Sequence, residues 1–177
     1  MMNTNIFGGR VVVDDVNRFI KDLKEIGEKN DPYILQVVDA GYLISIDQVH
    51  LAVRKTIESF RRRDNISNDP SIEFLLYLSG KRSINKAIKI GVENGDNYAV
   101  FVICDEDVDK LERIRQDITE KFVIRPIDIG DLIRYDATKK NRLMDFYDIT
   151  EEEIDAVGEK KLLKLILERE VLLDLLK

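Results

Sequence analysis

Tyr98-Ala99-Val100-Phe101-Val102-Ile103-Cys104 is an unbroken run of apolar residues, rich in β-branched and aromatic side chains, followed at once by Asp105-Glu106-Asp107. A run of this length and make-up, bounded by polar residues, reads as a central β-strand. Downstream, Asp105 is placed to cap a helix over residues 106–120, and residues 122–127 read as a further strand. Upstream, YILQVV at 33–38 follows the Asp31-Pro32 turn and reads as a buried strand. Residues 7–13 read as a short first strand, with Gly8-Gly9 as a turn. Helical spacing places Val16, Phe19, Ile20 and Leu23 on one face behind an Asp14 or Asp15 cap, and the helix stops near Gly27. Asp47 is expected to cap a second helix with Val49, Val53, Ile57 and Phe60 on one face. Asp69-Pro70 starts a third helix, which Gly80 ends. Ser83 caps a short fourth one, with Ile84, Ala87 and Ile88 inward. Helices at 139–147 and 150–157 and a long one from 159 onward complete the chain. Strands and helices are mixed without strict alternation. The expected fold is therefore α/β of the α+β kind: a single domain over residues 1–177 with a small mixed or antiparallel central sheet. About seven to eight helices surround that sheet, the last of them long.

The 177 residues suffice for one sizeable core, and 44% hydrophobic with 35% charged residues excludes disorder and a membrane protein. The opening MMNTNIFGGRVVVDD has no basic start, apolar stretch or cleavage site of a signal peptide, and the lone Cys104 suits a reducing compartment. A cytoplasmic location is expected. The net charge of −6 is unevenly spread. Nine basic residues (Arg54, Lys55, Arg61, Arg62, Arg63, Lys81, Arg82, Lys86, Lys89) face four acidic ones between 54 and 89. That segment is thus +5 and the remainder −11, a distribution that attracts phosphate at one place and repels it elsewhere.

Catalytic groups are sparse. His50 is the sole histidine and Cys104 the sole cysteine, too few for a thiolate–imidazole zinc site, and both read as structural. The acidic run from Asp105 to Asp109 fails as a calcium loop, with Lys110 where glycine is required and Gln116 where the bidentate glutamate belongs. Ser79-Gly80-Lys81-Arg82-Ser83 imitates the end of a phosphate-binding P-loop, yet Leu75 and Arg82 stand where glycine and Ser/Thr are needed. No metal or cofactor is expected. The same junction offers the start of a helix beside Lys81, Arg82 and Lys86, a place for an anion. The alternative is that these cations merely complement the end of the preceding helix. The last helix has a broad apolar face (Leu162, Leu165, Ile166, Leu172, Leu173, Leu176) and a second stripe of Leu163, Leu167, Val171 and Leu175. A surface helix needs only one such face, so this one is either buried on both sides or docks on another protein.

Residues 65–88, with Ile72-Glu73-Phe74-Leu75-Leu76-Tyr77-Leu78-Ser79-Gly80-Lys81-Arg82-Ser83-Ile84-Asn85-Lys86-Ala87-Ile88 at their centre, resemble the small tRNA-recruiting subunit of the KEOPS complex, the PRPK-binding or TPRKB-like family. The resemblance extends back through Ile34-Leu35-Gln36-Val37-Val38-Asp39-Ala40 and His50-Leu51-Ala52-Val53, and forward to Cys104. It implies a non-catalytic subunit that binds and stimulates the small atypical kinase-like ATPase of a complex making threonylcarbamoyl-adenosine on tRNA. Archaeal members of that family are similar in gripping the single-stranded 3′ tail of tRNA. On that expectation Ser79, Gly80, Lys81, Arg82, Ser83 and Lys86, with the amides of the following helix, hold the tail. Tyr77 and Ile84 offer surfaces to its bases, although Tyr77 reads first as core, and Lys55, Arg61, Arg62 and Arg63 track the acceptor stem. The partner docks on Ile154, Leu163, Leu167, Val171 and Leu175. The competing readings are a regulatory protein-binding subunit without RNA contact, and a small nucleotide-directed enzyme for which no catalytic set is assembled. Residues 137–147 carry no assigned role.

Overall fold

A computed structural model describes all 177 residues. The chain divides into two compact units, Met1–Ala40 with Gly91–Leu132 and Gly41–Ile90 with Ile133–Lys177.

The first unit is built on a four-stranded antiparallel sheet of order β2-β3-β1-β4, from β1 (Asn3–Val13), β2 (Ile34–Asp39), β3 (Gly95–Asp105) and β4 (Ile124–Pro126). The YAVFVIC run is the inner strand β3, and every residue from Ala99 to Cys104 is buried, which is why it reads as continuously apolar. Ala99, Phe101 and Ile103 share one core with Phe19, Leu23 and Ile26 of α1 (Val16–Asn30) and Leu111, Ile114 and Ile118 of α5 (Val108–Lys121). Phe7 stacks on Phe101 with ring centroids 5.2 Å apart.

Three sequence expectations need correction here. Gly8 and Gly9 lie inside β1 and make no turn: a Cβ on Gly8 would strike the Ala99 carbonyl oxygen, and one on Gly9 that of Arg125. Asp107, not Asp105, caps α5, accepting from the Lys110 amide at 3.1 Å. Asp105 ends β3 and accepts from the Tyr33 and Asp107 amides and from Lys110 Nζ at 3.0 Å. The last strand shrinks to three residues: Phe122 closes α5 and turns into the core, and beyond Pro126 a bond from the Ile127 amide to the Gly8 carbonyl at 3.1 Å ends the pairing.

The second unit is helical: α2 (Ile46–Arg62), α3 (Pro70–Ser79), α4 (Ile84–Ala87), α7 (Ala137–Tyr147), α8 (Glu151–Val157) and α9 (Leu162–Leu176). A single helical turn, α6 (Ile129–Leu132), belongs to the first unit and carries no signal strong enough to read from sequence. Ser45 caps α2 in a capping box with Gln48, which leaves Asp47 inside the first turn. Asp69 caps α3, Pro70 occupies its first turn, and Gly80 ends it at φ 62°. α3 is buried all round from Glu73 to Ser79, the pattern of a helix at the centre of a bundle. α7 finds its role in a small core, where Leu143, Met144 and Tyr147 pack with Ile149, Ile154, Leu162, Leu165 and Ile166.

Candidate functional site

In the second unit α9 runs antiparallel along α3. A Cβ on Gly80 would lie 2.9 Å from the Arg169 carbonyl oxygen, the Tyr77 hydroxyl donates to Asp174 at 2.6 Å, and Lys177 donates to Glu73 at 3.0 Å. The face of α9 toward this packing is Leu162, Leu165, Ile166, Glu170 and Leu173. Around the helix, Val171 and Leu172 are 42% and 41% exposed, Leu175 79% and Leu176 53%. Lys164, Leu167, Glu168, Val171 and Leu172 line a shallow, mainly apolar groove on this outer face.

The basic segment is divided by its ion pairs. Lys55 reaches Asp174 at 2.9 Å and Glu58 at 3.5 Å. Arg62 reaches Asp64 at 2.8 Å, Asp174 at 3.0 Å and Glu58 at 3.8 Å. Burial works to raise the Asp174 carboxyl, but hydrogen bonds from Tyr77 and Lys55 and the charges of Lys55 and Arg62 outweigh it and hold it below the usual range. Lys81 pairs with Asp148 at 2.9 Å and lies over the Phe146 ring. Arg61, Arg63, Arg82, Lys86 and Lys89 are exposed and enter no ion pair. Beside the last three, Ile84 and Ile88 are 43% and 50% exposed. Arg61 and Arg63 sit where α2 ends and α3 is about to begin, while Arg82 and Lys86 follow the other end of α3. The rise of 1.5 Å per residue separates those ends by about 15 Å.

The family model for kinase binding protein CGI-121 matches residues 13–173. The chain belongs to the CGI-121 family. No curated protein matches it.

For this CGI-121 family member the geometry sorts the residues singled out from sequence. Ile154 is core, packed with Leu162 and Leu165, and presents no docking surface. Leu163 and Leu167 are half-buried, whereas Val171 and Leu175 stand out, joined by Leu172 and Leu176 from the broad apolar face. Tyr77 has its ring fully buried and its hydroxyl committed to Asp174, so the structure offers it as core. Burial and the neighbouring Asp174 keep its phenol protonated far above the usual range. Ser79 is buried and donates back to the Leu76 carbonyl at 3.1 Å. α4 is one turn long, and the amides of Lys86 and Ala87 are already bonded to Ser83 O. So short a helix sums few peptide dipoles, and its start by itself offers little to an anion. Ile84 and Ile88, expected inward, face solvent, because Ala87 and Ile90 alone fill the inner side of so short an element.

His50 stands exposed on α2 beside the inward Val49, and Cys104 is a buried thiol that burial pushes up to about 11. Two groups that sequence reasoning passed over are Asp174 and Glu170. Both sit inside an apolar-looking helix, and the spacing that makes them acidic interruptions was the only available signal. No helix of the chain is long and apolar enough to cross a membrane.

Proposed function

We propose that this chain is a non-catalytic, cytoplasmic subunit of a KEOPS-type tRNA-modifying complex, which binds and stimulates a small kinase-like ATPase and takes up the 3′ tail of tRNA. The observation that carries the first half is α9: one face is core, and the outer face leaves Val171, Leu172, Leu175 and Leu176 exposed in a chain whose family is kinase-binding. An exposed apolar cluster on a rigid helix, adjoining a shallow groove, is the form of a helix-mediated docking surface. Removing α9 would not test this, because Leu162, Leu165, Ile166 and Leu173 belong to the core. Single charged substitutions on the outer stripe do.

The tRNA half rests on Arg82, Lys86 and Lys89, which are cations without internal partners, beside the exposed apolar surfaces of Ile84 and Ile88. Phosphates and splayed bases of a single strand require that combination. Arg61 and Arg63 supply a second basic point for the acceptor stem. The test is binding of the protein to tRNA with and without its terminal unpaired nucleotides at near-physiological salt. Affinity that falls with loss of the tail, and with Arg82→Glu plus Lys86→Glu, is expected; equal binding by both RNAs refutes tail recognition. A purely protein-binding subunit is the second reading. It is favoured by the neutralisation of Lys55, Arg62 and Lys81 by Asp174, Asp64 and Asp148, and undetectable tRNA binding would establish it.

A further inference from the structure

Asp174 has no place in either surface, yet it ties them together. Its two carboxylate oxygens take Lys55 Nζ at 2.9 Å, Arg62 Nη2 at 3.0 Å and the Tyr77 hydroxyl at 2.6 Å. Lys177, three residues on, donates to Tyr77 Oη at 2.6 Å and to Glu73 at 3.0 Å, lies 3.6 Å from Asp64, and sits over the Tyr77 ring at 4.5 Å. The chain of donors therefore runs from Lys177 through the Tyr77 hydroxyl to Asp174, with two further cations closing on the same carboxylate. Those two, Lys55 and Arg62, are the members of the basic segment that α9 itself neutralises.

We infer that Asp174 is an internal competitor for RNA phosphate: the last turn of α9 occupies Lys55 and Arg62 with a carboxylate, and RNA reaches them only by displacing it. The inference rests on the tRNA-binding reading above. A phosphate and a carboxylate present similar oxygen pairs to a guanidinium and an ammonium, so the two anions exclude each other at these cations. Glu58 and Asp64 remain beside Lys55 and Arg62 and keep them partly screened, which makes the contact a weak, adjustable one. By reciprocity, RNA that takes these cations loosens the turn carrying Leu175 and Leu176, the most exposed part of the docking stripe.

The experiment compares the full-length protein with Asp174→Asn and with Tyr77→Phe for binding to intact tRNA across a salt series. Asp174→Asn is expected to tighten binding by about three- to tenfold. It should also steepen the salt dependence by about 0.7–0.9 in log–log slope for each additional phosphate that the protein neutralises. Tyr77→Phe keeps every charge, removes the hydroxyl that orients Asp174 and accepts from Lys177, and carries the test if Asp174→Asn does not fold; a smaller tightening is expected. Structural damage would weaken binding, so the sign separates competition from disruption. In the parent protein, saturating tRNA should speed amide exchange in the last turn of α9. If the parent binds tRNA and loses it on Arg82→Glu plus Lys86→Glu, while the folded Asp174 or Tyr77 variants bind no more tightly, the competitor role is overturned and the tRNA reading stands. If the parent does not bind tRNA, both fall together.

Discussion

The two units bury different chemistry. In the first, the buried polar groups are Asn97 and Asp105, and both are fully engaged: Asn97 with the Glu93 and Gly95 carbonyls and the Glu93 amide, Asp105 with two amides and Lys110. In the second, Gln48, Thr56, Ser59, Glu73, Ser79 and Glu170 are all buried, and both carboxylate oxygens of Glu170 lack a hydrogen-bond partner. A sheet satisfies its own backbone and needs only apolar filling between it and its helices, as Phe101, Ile114 and Ile118 provide. A helical bundle whose central helix is wrapped on all sides must also settle side chains at the seams. There Glu73 gathers the Ser59 hydroxyl, the Ile66 and Ser67 amides and Lys177. The first unit is thus a scaffold of ordinary packing, and the second, which carries both candidate surfaces, is held by polar links that other anions and cations can compete for.

The largest effect should come from breaking the scaffold. Phe101→Ala, which removes a fully buried ring stacked on Phe7, is expected to cost about 3–5 kcal/mol of unfolding free energy in urea titration. Gly80→Val attacks the seam between α3 and α9. The left-handed backbone and the Arg169 carbonyl oxygen 2.9 Å from its Cβ should cost about 2–4 kcal/mol. A loss below about 1 kcal/mol would mean that α9 is not seated there.

Glu170 sharpens the comparison in the opposite direction. Burial pushes its carboxyl well above its ordinary value of 4.5, so its proton is retained on folding. The stability this supports is fully present below about pH 4.5 and is lost as the pH rises toward the folded value. Glu170→Leu should therefore raise stability at pH 7 by about 1–3 kcal/mol and flatten the decline between pH 4.5 and 7. Urea titrations at several pH values check both. The smallest effect on folding belongs to Leu175→Glu. With the side chain 79% exposed, stability should change by no more than about 0.5 kcal/mol. Affinity for the kinase-like partner should nevertheless drop by about tenfold or more in a binding titration.

Much of the fold was legible because its signals are local. The apolar run of β3 and the Asp69-Pro70 start and Gly80 stop of α3 each lie within a few residues of what they specify. Errors fell where a tertiary neighbour decided. Gly8-Gly9 looks like a turn until the backbones of Ala99 and Arg125 are brought against it. Ile84 and Ile88 have helical spacing, but a single turn has no second layer to bury them. The inward stripe of α2 is Gln48, Val49, Ala52, Val53, Thr56 and Ser59, more polar than the spacing of Val49, Val53, Ile57 and Phe60 suggests. Thr56 and Ser59 settle their hydroxyls on the helix's own carbonyls, and Ser59 also reaches Glu73.

For the candidate site, the sequence alone determined that a basic segment and a doubly apolar last helix exist, because charge and hydropathy are properties of the residues themselves. Which cations remain available was settled only by the tertiary structure. Lys55 and Asp174 are 119 positions apart, Tyr77 and Asp174 97, and Lys81 and Asp148 67. An ion pair is a matter of ångströms in space, and no pattern along the chain encodes which distant carboxylate arrives within them.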